Sequence, residues 1–221
     1  MALPSLPSRL RPASISALYA VGLLPGLWYF YLGTTAGLGA DPVRTFEHLL
    51  GLWALRFLCA TLTVTPLRDL FGINLIAYRR ALGLLAFYYV LAHFAVYLFL
   101  DRGLIFSSIL GDIAKRPYIM LGMAGLLMLI PLAMTSNRWS IRTLGPRWNM
   151  LHRLSYAIIV VAVLHYALSL KAITAEPAVY IGLVAVLLGY RFVRPRIMER
   201  KRRSKRSEPK AYRAAVADSR S

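Results

Sequence analysis

Acidic residues are scarce in this chain: 9 Asp and Glu stand against 27 Lys and Arg in 221 residues. Charged residues of both signs make up only 16%, where a soluble domain carries about a quarter. Cysteine is nearly absent. The single Cys59 lies inside an apolar run, which leaves no disulfide framework and no Cys/His zinc cluster. No G-x-G-x-x-G follows a strand-like run and no P-loop occurs, so the chain has no dinucleotide domain of its own. No carboxylate sits in the middle of a long apolar run, which argues against a proton-coupled transporter.

What is present is apolar length. Hydrophobic residues make up 58% of the chain, and the basic residues sit in gaps between long apolar runs. That distribution marks membrane loops and gives no groove for nucleic acid. Apolar runs cover 16–34, 46–66, 80–100, 117–135, 151–170 and 177–192, each near the roughly 20 residues that cross a bilayer core. The predicted fold is therefore all-α, a polytopic transmembrane bundle of about six helices over residues 16–193. The first run ends in Trp28, Tyr29, Phe30 and Tyr31, too aromatic for a signal-peptide core, and is read as a retained helix with its aromatics at the outer interface.

One set of loops carries Arg9, Arg11, Arg68, Arg79, Arg80, Arg138, Arg142, Arg147 and Arg153, and the basic run from Arg191 joins them. The alternate set carries only Arg44, Arg102, Lys115, Arg116 and Lys171. The positive-inside bias then predicts both termini in the cytoplasm, with residues 1–15 as an N-terminal segment. Residues 194–221 lack apolar periodicity and are expected to be a disordered basic tail that touches anionic membrane lipid.

Four histidines carry most of the chemistry. His93 falls in the third run, His152 and His165 in the fifth, and His48 at the outer start of the second. An ionisable group within a span is costly, so such a histidine either serves a cofactor or hydrogen-bonds across helices. Counting helix rise from the inner face puts His93 and His165 at the same height, roughly 20 Å up. Two neutral imidazoles at one height on different helices suit the two axial positions of one haem iron. His152 lies near the inner face, where it would serve a second haem or the quinone or flavin end of a path. On an ideal helix His152 and His165 differ by about 220°, so they share no face unless the helix is distorted. His48 reads as a headgroup-level residue or a partner for a haem propionate.

The runs WALRFLCATLTVTPLRDL, RRALGLLAFYYVLAHFAVYLFLD, DIAKRPYIMLGM and LAMTSNRWSIRTLGPRWNMLHRLSYAIIVVAVLHY resemble one family. It is the haem-binding membrane subunit of the bacterial protein-methionine-sulfoxide reductase system (the MsrQ/YedZ family), and the likeness covers about residues 42–190. The resemblance implies a ferric-reductase-like bundle, shared with NADPH oxidases and metalloreductases but lacking their flavin and NADPH domain. It implies one or two b-type haems and electron transfer across the inner membrane to a periplasmic molybdopterin subunit (MsrP-like) that repairs oxidised methionine. The implied donor is the quinone pool or a cytosolic flavin reductase, and FMN is associated with the family.

By the same resemblance His93, His152 and His165 match the family's histidines. The wider superfamily places a fourth histidine about 13 residues before His93; here that position is Arg80, beside Arg79. An inner haem is then either singly ligated through His152 or absent. The two arginines either clamp a propionate or phosphate or act as positive-inside anchors. Arg56, several residues inside the second run, is expected to snorkel or to pair, with a haem propionate as one partner.

Three readings follow. The first is a haem conduit for methionine-sulfoxide repair, docking its acceptor on the segment Asp101–Arg116. The second is a related cytochrome b with ferric iron or oxygen as acceptor. The third is a non-redox scaffold or channel in which the histidines only hold helices together. In the first, this chain converts no substrate itself.

Overall fold

A computed structural model describes residues 9–35, 37–170 and 175–207. Among these the regular structure is helical, without strands. In chain order the helices are α1 (Arg11–Thr34), α2 (Pro42–Phe71), α3 (Arg79–Val96), α4 (Phe106–Lys115), α5 (Pro117–Met134), α6 (Arg138–Leu144), α7 (Pro146–His152), α8 (Leu154–Ser169) and α9 (Ala175–Ser207). Six stretches are long and apolar enough to cross a membrane, with α7 and α8 forming one of them. They coincide with the six apolar runs.

The ends lie where local chemistry puts them. Asp41 caps α2, its side chain accepting from the Arg44 N–H at 3.1 Å, and Pro42 occupies the first turn, where a missing N–H costs nothing. That cap starts α2 ahead of the apolar run. At the other end Gly72, with φ 72°, adopts the left-handed conformation that closes the helix. Between α6 and α7, Gly145 has φ 50° and ψ −125°, a region closed to residues with a Cβ. Hydroxyls within the spans are satisfied locally, Thr61 on the Phe57 carbonyl and Thr63 on the Cys59 carbonyl, each at 2.8 Å, as a lipid solvent requires.

Two compact units divide the chain, Met1–Val184 and Ala185–Ser221. In the first, α2 packs against α3 and α8, and α5 packs against the same two. These four helices close a ring, and α1 lies outside it against α2 and α3. α2 is the most buried span and α1 the least. Exposed Val21, Leu24, Leu27 and Trp28 cover the outside of α1, a surface suited to acyl chains.

One side chain joins α1 to the ring. The Tyr89 hydroxyl donates to the Gly22 carbonyl at 2.8 Å and accepts from the Gly26 N–H at 2.9 Å. It thus bridges the donor and acceptor of one helical turn, just where Pro25 interrupts α1. The small residues at 22 and 26 admit this approach; a Cβ on Gly22 would lie 2.6 Å from a Leu85 methyl.

The second unit contains the remainder of α9, which continues to Ser207. Residues 194–207, expected to be disordered, are therefore helical. Lys, Arg, Met and Glu are good helix formers, and Pro195 does not break the run. The rest of the expected tail, 208–221, lies outside the described residues, as do residues 1–8 and the 171–174 connection with Lys171.

Candidate functional site

Inside the ring of α2, α3, α5 and α8 is a cavity of about 660 Å³, within the range of about 300–1,000 Å³ that holds cofactors. Its walls include Leu52, Leu55, Leu126, Leu129 and Ile158. Toward the α4 end the lining turns polar, with Arg44, Glu47, His48, Arg102 and Arg116.

His93 projects from α3 and His165 from α8, and both line this cavity. Their rings lie 6.0 Å apart with planes at 88°. Each ring is oriented by a backbone carbonyl. His93 Nδ1 bonds the Glu47 oxygen at 2.8 Å, and His165 Nδ1 bonds the Tyr118 oxygen at 2.6 Å. A carbonyl only accepts, so each Nδ1 carries the proton and each Nε2 is left with its lone pair. Glycines make the room. A Cβ on Gly51 would lie 3.2 Å from His93 Nδ1, and one on Gly122 would lie 2.9 Å from His165 Cε1.

This donor set suits an iron held in a macrocycle. Two imidazoles on opposite sides of one metal, each through a bond of about 2 Å, have ring centroids about 6 Å apart. Among the described residues no group of three or more His, Cys, Asp or Glu could hold a bare metal ion. Glu47 Oε1 lies 3.8 Å from His93 Nε2, too far for a hydrogen bond.

The other sequence-selected residues fall elsewhere. His152 is outside the cavity lining, at the opposite end of the ring from α4. Its Nε2 is 3.1 Å from Thr135 Oγ1, and its ring stacks on Trp148 at 3.9 Å. Trp148 in turn donates to the Thr135 carbonyl at 2.9 Å. The α-helical ladder is interrupted at Arg153, where Arg153 N bonds Met150 O and Tyr156 N bonds Arg153 O. His152 and His165 therefore sit on separate helices with separate environments, which disposes of the shared-face difficulty. Arg79 and Arg80 form the first turn of α3, outside the cavity lining. Arg56 does pair, but with α9. Its Nε donates to the Tyr180 hydroxyl at 3.0 Å, Glu176 is 3.9 Å away, and the Trp53 ring lies 5.0 Å from its guanidinium. It does not line the cavity, whereas His48 does.

A family model, the ferric reductase like transmembrane component, matches residues 48–163. A haem-binding subunit MsrQ of protein-methionine-sulfoxide reductase from Agrobacterium fabrum is 69% identical over 95% of this chain and 97% of its own length. The subunit of the same name from Rhizobium meliloti is 58% identical over 90% of this chain and 93% of its own. That from Brucella anthropi is 59% identical over 83% and 84%. The chain belongs to the MsrQ family.

As an MsrQ-family member it is a multi-pass membrane protein with the helical bundle of that family. The site also includes residues that sequence reasoning passed over. Glu47 and Tyr118 act through backbone oxygens, which no residue-type pattern reveals. Gly51 and Gly122 offered a signal, since small residues within spans mark close approach. The Asp112–Arg116 pair, four residues apart, was legible as a helical ion pair. Its place beside the cavity was not.

Proposed function

We propose that this chain is the haem b-binding, electron-transferring membrane subunit of a bacterial protein-methionine-sulfoxide reductase. The reading rests above all on one observation, the His93–His165 pair at 6.0 Å with both Nε2 atoms available. The names of the MsrQ relatives support both the cofactor and the reductase partner.

When bound, haem supplies a one-electron carrier within the apolar part of the membrane. His93 and His165 would hold it through their Nε2 atoms, and the carbonyls of Glu47 and Tyr118 keep the two rings oriented. The leucine-lined walls exclude water, and Arg44, which lines the cavity, would offer its guanidinium to the carboxylates. No bond to methionine sulfoxide is made in this chain.

The basic residues flanking α3, α6 and α7 support an orientation with that end, and both termini, on the cytoplasmic side of the inner membrane. The end that carries His152 and Trp148 is then the donor end, receiving electrons from quinol or a cytosolic flavin reductase, with quinone or FMN as the carrier met there. The α4 end faces the periplasm and a molybdopterin-containing, MsrP-like acceptor. One haem per chain is expected, because His152 Nε2 is engaged by Thr135.

The test is a dithionite-reduced minus oxidised spectrum of the detergent-purified protein, with haem quantified per chain. A low-spin b-type spectrum at one haem per chain is the expected result. Two haems would bring in His152 as a ligand. A colourless protein, made with haem in good supply, would overturn the reading in favour of a scaffold or channel.

A further inference from the structure

The segment between α3 and α5 is built around one buried carboxylate. Asp112, on α4, is 9% exposed, and burial of a charge is tolerated only where it is paired and hydrogen-bonded. Its two oxygens face different helices. Oδ2 lies 2.7 Å from Arg102 Nε and accepts from the Tyr97 hydroxyl at 3.3 Å. Oδ1 lies 3.1 Å from Arg116 Nε.

Each side leads to one imidazole. Tyr97 is one helical turn beyond His93 on the same chain segment, at the start of a π-helical turn, Tyr97–Asp101, that ends α3. Arg116 directly precedes α5 and donates to the Tyr118 hydroxyl at 3.0 Å. The Tyr118 carbonyl is the group that orients His165. The turn that aims Arg102 is strained: Leu104 has φ 61°, the positive-φ conformation that leucine rarely adopts. Such a conformation persists where the surroundings over-determine it. The apolar contact of Tyr97, Ile109 and Ile119 joins the same three elements beneath the ion pairs.

We infer that Asp112 is a positioning residue for the His93–His165 pair, its carboxylate tying the end of α3 to the start of α5 and so setting the spacing and relative angle of the two rings. The inference rests on the haem reading above. Asp112 does not touch the cofactor space; it acts through Tyr97 and Arg102 on one side and through Arg116 and Tyr118 on the other. Removing it leaves Arg102 with Asp101 and Arg116 with Tyr118, and so unlinks the two ligand-bearing halves.

The test uses the full-length protein purified with haem, and reads haem per chain, the electron paramagnetic resonance spectrum of the oxidised form and the midpoint potential. In the wild type, rings near 90° give a highly anisotropic low-spin signal. Asp112→Asn is expected to replace that signal with a broader or split one and to shift the potential, with Asp112→Glu restoring most of the wild-type signal. Arg116→Gln, at an exposed residue, removes the Oδ1 ion pair and the bond to the Tyr118 hydroxyl while leaving the Arg102 side in place, and is expected to give a smaller change of the same kind. Asp101→Asn, which removes the second ion pair of Arg102 while leaving Asp112 intact, is expected to leave the signal in place. Wild-type signal and potential in both Asp112→Asn and Arg116→Gln would overturn the inference while leaving the haem reading standing. A wild-type protein that binds no haem would overturn the haem reading itself.

Discussion

A methyl group at Gly122 would lie 2.9 Å from Cε1 of His165. Contacts that short force a shift, and the same Cβ would lie 3.0 Å from Nδ1, the atom held by the Tyr118 carbonyl at 2.6 Å. Gly122→Ala is therefore expected to displace the imidazole, at a cost of about 1–3 kcal/mol typical of overpacking. That corresponds to a loss of roughly five- to 150-fold in haem affinity. Gly51→Ala meets His93 at 3.2 Å and is expected to cost less. Haem titration of the two apo-variants gives the order; equal, wild-type affinities would remove the close-approach role of both glycines.

The three histidines separate cleanly by substitution. His93→Ala and His165→Ala are each expected to abolish haem binding, since each removes one of the two imidazoles that would hold it. His152→Ala is expected to keep the haem and its spectrum while slowing reduction from the donor side. Haem per chain and the rate of reduction by quinol or a reduced flavin, measured on all three, check this. Loss of haem in His152→Ala would place that ring on iron after all.

The arginines make a second contrast. Arg44 lines the cavity, whereas Arg56 pairs with Glu176 and Tyr180. Arg44→Gln is expected to weaken haem retention, because a cation near the cofactor's carboxylates is lost. Arg56→Gln is expected to leave haem retention unchanged. Transfer of haem to apomyoglobin over time measures both.

Tyr89→Phe removes the hydroxyl that bridges Gly22 and Gly26. Hydrogen bonds between membrane helices contribute about 0.6 kcal/mol on average and up to about 1.7 kcal/mol. With two backbone groups left to find each other beside Pro25, the expected loss is about 1–2 kcal/mol, at the upper end of that range. Detergent-to-SDS unfolding curves read it, with haem content unchanged.

The number of spans, their positions and the three intramembrane histidines were legible in the sequence. A bilayer demands apolar length, and it makes each ionisable residue inside a span conspicuous. Equal heights for His93 and His165 followed from helix rise alone, because a helix advances uniformly whatever it packs against. Rotation about the helix axis does not follow in the same way. It depends on which neighbour each face meets, so only the packed bundle shows both rings facing one cavity, and His152 facing Thr135 and Trp148 instead. The partner of Arg56 was open for the same reason. The sequence required a partner for a charge within a span, and tertiary packing chose Glu176 of α9. The α4 segment was legible only as an outer loop. Its helix buries Ile109 against Tyr97 and Ile119, and Asp112 meets arginines that precede and follow it in the chain. Apolar pattern, charge and helix rise are local or additive along a chain, so a sequence determines them. Ring angles, carbonyl partners and ion-pair choice depend on how separate helices meet, and only the tertiary structure decided them.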